Sequence, residues 1–187
     1  MNILSLKLIL FVTFIYFIYS VLYLILTFYK KLIILLRFFL DKIVLVTGGY
    51  DPLHSGHINL FIKASKIGKK LIVGINSNKW LVRKKGFYFI PRNERKIIIE
   101  NLKMVDRVIF WDDKDNSACG AIDIVLSELK TNQLLVFANG GDRKKNNIPE
   151  LNKFKDNEKV IFEFGVGGYK KTNSSSLIME NFKNKFL

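Results

Sequence analysis

Two histidines stand three residues apart in His54-Ser55-Gly56-His57, and they are the only histidines in a chain of 187 residues. Ahead of them the strand-like run Ile43-Val44-Leu45-Val46-Thr47 leads into the turn Gly48-Gly49-Tyr50-Asp51-Pro52. A helix start offers backbone N–H groups without intrahelical partners and the positive end of a dipole, so Gly56 and its neighbours can receive a phosphate at close range. The two imidazoles add donors on one face of that helix. Donors held in place stabilise charge developing on phosphoryl oxygens during in-line transfer, the main contribution where a protein does little covalent chemistry. A metal site is a poorer fit, because no third histidine and no cysteine cluster completes a ligand set.

These residues need a scaffold, and from residue 42 short apolar runs alternate with helical stretches. Residues 43–47, 71–75, 108–111, 134–138 and 160–164 read as strands. Helices are expected over 58–66 and 122–130, from about residue 174, and from Pro91 through Ile97, Ile98 and Leu102. Strands of this kind between helices indicate an α/β fold of the Rossmann-like, doubly wound type, a five-stranded parallel sheet with helices on both faces. In such sheets ligands bind beyond the carboxyl ends of the strands. That places the Gly48 turn, Asn76-Ser77-Asn78 and Asn139-Gly140-Gly141-Asp142 on one rim.

Composition divides the chain near residue 40. Lys7, Lys30, Lys31 and Arg37 are the only charged side chains before that point, which leaves 26 basic and 16 acidic residues, a net +10, in 41–187. The expected domains are therefore a hydrophobic anchor segment, 1–40, and a second domain, 41–187. The positive charge suits phosphorylated ligands and, on charge alone, nucleic acid. Much of it lies in Lys/Asn runs such as Arg143-Lys144-Lys145-Asn146-Asn147, which read as solvated loops, so no nucleic-acid partner is expected. The lone Cys119 excludes an internal disulfide and a multi-cysteine metal site.

Residues 8–29 carry no charge. As a helix of 1.5 Å rise they span about 33 Å, against a hydrocarbon core of about 30 Å. The run is too long for a cleavable leader and lacks a small-residue cleavage site. Basic residues on its carboxyl flank outnumber those before it, which keeps the following domain on the cytoplasmic side. The expectation is a membrane-anchored protein with a cytoplasmic domain, or a soluble cytoplasmic one if the segment is only translated AT-rich sequence.

Taken in order, Gly48-Gly49-Tyr50-Asp51-Pro52-Leu53-His54-Ser55-Gly56-His57, Asn76-Ser77, Lys85-Gly86, Ile90-Pro91 with Glu94-Arg95, Val105-Asp106, Gly140-Gly141-Asp142 and Ser174-Ser175-Ser176-Leu177-Ile178 resemble the motifs of the HxGH nucleotidyltransferase superfamily. The resemblance is to its cytidylyltransferase-like branch, which includes glycerol-3-phosphate cytidylyltransferase and the adenylyltransferase domain of ADP-heptose synthesis, and it runs through nearly all of 42–182. It implies an enzyme that moves an adenylyl or cytidylyl group from ATP or CTP to a phosphorylated small molecule, a sugar or polyol phosphate, releasing pyrophosphate.

On that resemblance His54, His57 and Lys85 are the catalytic residues. Gly48, Gly49, Tyr50, Asp51, Gly56, Gly140, Gly141, Asp142, Ser174, Ser175 and Ser176 bind the nucleotide. Hydroxyls and amides at a helix start suit Ser174–Ser176 to the β- and γ-phosphates. Lys85, in a glycine-punctuated basic loop, suits closure over the reacting phosphates. Arg92 and Arg95 are placed on the acceptor's phosphate. Asp51 is assigned to the turn or the ribose side rather than to a metal, and Mg²⁺ is held mainly by the triphosphate. A homodimer is compatible with this reading. Gly49, Lys103 and Asn181 depart from the pattern, standing where threonine or cysteine, arginine, and arginine are usual. The departure at Asn181 keeps a catalytically degenerate nucleotide-binding regulator in view beside the enzyme, and the basic domain keeps a nucleic-acid binder.

Overall fold

The computed structural model describes residues 3–38, 40–141, 143, 148–168 and 174–186. The chain divides into two units, Met1–Leu40 and Asp41–Leu187. In the first, helix α1 runs over Ile3–Phe38 and continues past Lys30 and Lys31, since no glycine or proline occurs before Gly48 to stop it. Within it the 22 residues Phe11–Leu32 have a mean hydropathy of 2.1, and none of that stretch is buried within the molecule. By length and composition this is one candidate membrane span.

In the second unit the order is β1 (Asp41–Gly48), α2 (Ser55–Ala64), β2 (Lys70–Ile75), α3 (Asn78–Lys85), α4 (Arg92–Glu100), β3 (Arg107–Ile109), α5 (Cys119–Glu128), β4 (Gln133–Asn139), α6 (Pro149–Phe154), β5 (Val160–Phe164) and α7 (Ser175–Phe186). The five strands pair in parallel in the order β3-β2-β1-β4-β5, with Leu45 of β1 opposite Ile72 of β2 and Phe137 of β4. This is the expected α/β fold with a five-stranded parallel sheet.

Side chains alternate across a strand, so a sheet covered on both faces needs apolar residues at every position. Ile43, Leu45, Ile72, Leu135 and Phe137 face one way and pack with Ala121, Ile122 and Val125 of α5 and Phe154 of α6. Val44, Val46, Leu71, Val73 and Val136 face the other way and pack with Phe61 and Ala64 of α2 and Ile99 of α4. Val44, Leu45 and Val46 are wholly buried, which identifies β1 as the centre of the core.

The structure adds α3 and α6 to the expected elements. Apolar periodicity did not mark α3, whose buried face is Leu81 alone, yet its ends carry ordinary signals. Ser77 caps it by accepting from Trp80 N–H, and Gly86 ends it in the left-handed conformation at φ 85°. Helix α2 begins three residues before the expected start at Ile58, because His54 acts as its N-cap.

Candidate active site

The carboxyl ends of β1 and β4 and the loops that follow them enclose a cleft of about 270 Å³. This is the crevice where the strand order reverses, with β2 and β3 leading away on one side of β1 and β4 and β5 on the other.

His54 has extended backbone angles, φ −146° and ψ 170°, and its Nδ1 accepts from the Gly56 N–H at 3.1 Å. A neutral imidazole accepting at Nδ1 carries its proton on Nε2, which is thereby a donor. The His54 and His57 rings stack with centroids 3.7 Å apart, and the Tyr50 ring meets His57 edge-on at 5.0 Å. Both histidines line the cleft. Gly56 lines the cleft as well, with its N–H engaged in the cap to His54, and both imidazoles stand at the same helix start.

Lys85 also lines the cleft, but from the last turn of α3 rather than from a flexible loop. Its Nζ donates to the Asp51 carbonyl at 2.8 Å. Beside it Lys84 lies over the Trp80 ring at 4.5 Å. A buried carboxylate orients α3: Asp113 accepts from Ser77 N–H and Ser77 Oγ–H, both at 2.7 Å, and from Asn76 Nδ2 at 3.2 Å.

On the opposite wall, Ser174 Oγ accepts from Leu177 N–H and caps α7, while Ser175 Oγ donates to the Pro52 carbonyl at 3.0 Å. Ser176 is exposed on the first turn, and all three serines line the cleft. Gly48, Gly49, Tyr50, Gly140 and Gly141 line it as expected. A Cβ on Gly140 would fall 2.5 Å from the Val166 carbonyl oxygen, so this position admits only glycine beside the loop after β5. At Gly49 a Cβ would lie 2.9 Å from Leu81 Cδ2, a physical reason for glycine where the family pattern has a larger residue. Asp142 lies outside the described residues.

Asp51 fixes the turn, one of its two expected roles, while Arg92 and Arg95, expected on the acceptor's phosphate, donate to backbone carbonyls. The Asp51 carboxylate accepts from Phe89 N–H at 2.8 Å and Ile90 N–H at 2.7 Å, tying the turn after β1 to the segment before α4. Arg95 is 1% exposed, and it donates to the carbonyls of Ile90, Gly49 and Asn76 and to Asn78 Oδ1. Burial pulls its guanidinium down to about 10, with Asp51 opposing. Arg92 donates from Nε and Nη2 to the Ile75 carbonyl and stacks on Phe110 at 4.1 Å. Burial also lowers its pKa, against the attraction of Asp113. None of the three lines the cleft. They hold together the ends of β1 and β2 and the flanks of α3 and α4.

Sequence reasoning missed Thr47, Asn59, Trp80 and Arg143, all in the cleft lining. Thr47 was only the last residue of a strand, and Arg143 belonged to a run read as solvated. Asn59 Nδ2 donates to the Gly167 carbonyl at 2.7 Å and joins α2 to the loop after β5. Among the described residues no group of three His, Cys, Asp or Glu side chains is placed to hold a metal ion.

Parallel strands, a histidine pair at a helix start and a cleft at the reversal of strand order define an α/β domain of the nucleotide-handling class. The chain belongs to the Cytidylyltransferase-like family, whose description matches residues 45–181. It is 39% identical over 111 residues to bifunctional protein HldE of Blochmanniella floridana, covering 58% of this chain and 21% of that protein. It is 44% identical over 68 residues to phosphopantetheine adenylyltransferase of Streptococcus gordonii, covering 36% of this chain and 39% of that one. The matched segments thus span between a fifth and two-fifths of these relatives. Among solved structures, a bifunctional NMN adenylyltransferase/ADP ribose pyrophosphatase from Francisella tularensis has the same fold. Its TM-score is 0.56 at 19% identity, over 79% of this chain and 43% of that one.

Proposed function

We propose that residues 41–187 form a nucleotidyltransferase domain that transfers an adenylyl or cytidylyl group from ATP or CTP to a sugar or polyol phosphate and releases pyrophosphate. The observation that carries this is the pair of stacked imidazoles at the start of α2, with His54 held in the Nε2–H form, facing Lys85 and the Ser174–Ser176 helix start across one cleft. A phosphate oxygen of the acceptor attacks the α-phosphorus in line. The new P–O bond forms as the bond to the bridging β-oxygen breaks, and pyrophosphate leaves with that electron pair. His54, His57 and Lys85 stabilise the added negative charge, and the start of α7 holds the outer phosphates. Among the described residues the cleft lining supplies cations and hydroxyls and no carboxylate. A divalent cation therefore belongs to the triphosphate it enters with and is part of that substrate. The name of the streptococcal relative favours ATP over CTP.

The test is a screen of the four nucleoside triphosphates against sugar, polyol and pantetheine phosphates, read by released pyrophosphate. His57→Ala should lower turnover by about 100-fold, the effect of removing one positioned donor. Unchanged release in that variant would refute the mechanism. Triphosphate binding without release against every acceptor would favour a nucleotide-holding regulator.

We also place the protein at a membrane through residues 8–29, with 41–187 on the cytoplasmic side. The candidate span supports this, together with Lys30, Lys31 and Arg37 on its carboxyl flank. Extraction of the tagged full chain from membranes by alkaline carbonate would overturn the anchor; retention until detergent is added is the expected result.

A further inference from the structure

Where β1 and β4 part, a guanidinium that no motif marks lies in the cleft. Arg143 Nη1 is 3.3 Å from Asn139 Oδ1 at the end of β4 and 3.5 Å from Thr47 Oγ1 on β1. Both partners are neutral and both distances are long, so these contacts aim the cation without neutralising it. In the same lining Tyr50 is 3% exposed, and its hydroxyl has no hydrogen-bond partner among the described residues. That hydroxyl lies beside the turn, 3.3 Å from where a Cβ on Gly48 would stand. A buried hydroxyl without a partner destabilises the empty protein, and a ligand oxygen brought to it would remove that cost. One oxygen with several lone pairs and negative charge answers a phenol and a guanidinium together, whereas a sugar hydroxyl or a base edge brings no charge to the cation.

We propose that Arg143 and the Tyr50 hydroxyl together hold a phosphoryl oxygen of a bound substrate at the β1/β4 crevice, with Thr47 and Asn139 as positioning residues for the guanidinium. The assignment rests on the nucleotidyl-transfer reading and adds to it a cation, Arg143, that lies outside the family motifs, and a role for the hydroxyl of Tyr50. The phosphoryl group is either the nucleotide's or the acceptor's.

The full chain in detergent, as wild type, Tyr50→Phe, Arg143→Gln and the double variant, is titrated calorimetrically with ATP, CTP and inorganic phosphate, and each ligand-free melting temperature is recorded. Tyr50→Phe should melt at or above the wild-type temperature, because it removes an unpartnered hydroxyl, and yet bind at least one of these ligands more weakly. Arg143→Gln should weaken the same ligand by about tenfold to a hundredfold, with the double variant less than additive. Weaker ATP or CTP binding assigns the site to the nucleotide's phosphates. Weaker phosphate binding at unchanged nucleotide affinity assigns it to the acceptor's. Wild-type affinity for all three ligands in both single variants overturns this assignment and leaves the nucleotidyl-transfer reading standing. A wild type that binds none of them overturns both.

Discussion

The Gly56 N–H donates to His54 Nδ1 across 3.1 Å, so a single hydrogen bond both caps α2 and sets the proton of the neutral imidazole on Nε2. Capping and chemistry can be separated at this residue. Asparagine is a good N-cap but has no group where Nε2 stands. His54→Asn should keep stability within about 0.5 kcal/mol while lowering pyrophosphate release by about 100-fold or more. His54→Ala should lose the cap as well, at a further cost of about 1 kcal/mol in urea denaturation.

Arg95 is a structural cation that joins three segments: the turn after β1, the junction of β2 with α3, and the start of α4. Removing it leaves the carbonyls of Gly49, Ile90 and Asn76 short of a buried donor. Arg95→Leu should destabilise the domain by about 3 kcal/mol or more, seen as a lowered melting temperature before any nucleotide is added. A variant that melts like wild type but binds phosphate ligands poorly would return Arg95 to the substrate-binding role expected from its motif.

Gly140 and Gly141 are adjacent and should respond differently. Gly140→Ala drives a methyl into the Val166 carbonyl, which should cost about 1–3 kcal/mol and displace the loop that closes the cleft, weakening ATP binding. Gly141 has φ 65° with open space around its Cα, so Gly141→Ala should cost only about 1 kcal/mol of backbone strain. Comparing melting temperature and calorimetric affinity for the two variants checks this.

Burial raises the Cys119 thiol above its ordinary value, with the Ser117 hydrogen bond opposing. A raised acid pKa keeps the group neutral at a pH where a free thiol is partly ionised, and the thiolate is the reactive form. Iodoacetamide at about pH 8 should therefore label native Cys119 more slowly than free cysteine. Urea should abolish the difference. Labelling of the native protein at the free-cysteine rate would show that the thiol is not held neutral.

Much of the sheet was legible beforehand, because buried parallel strands read as unbroken apolar runs, and residues 160–164 were placed without error. The histidine pair, Lys85 and the three serines were legible too, since local spacing and helix starts mark them. Helix α3 was hidden because Leu81 is its only buried residue, although Ser77 and Gly86 marked its ends.

The roles of charged residues divide along the same line. Local order along the chain sufficed to name the glycine turn with its histidine pair, a five-stranded parallel sheet and the rim where the cleft opens, because these depend on short-range periodicity and caps. Folding assigned the arginines: Arg92 and Arg95, the expected anion ligands, are held by backbone carbonyls from four segments, while Arg143, read as solvated, reaches Thr47, 96 residues away in sequence. A guanidinium on a long, flexible side chain takes its partner from whatever acceptors the packed strands bring within reach, and spacing along the chain carries no record of that.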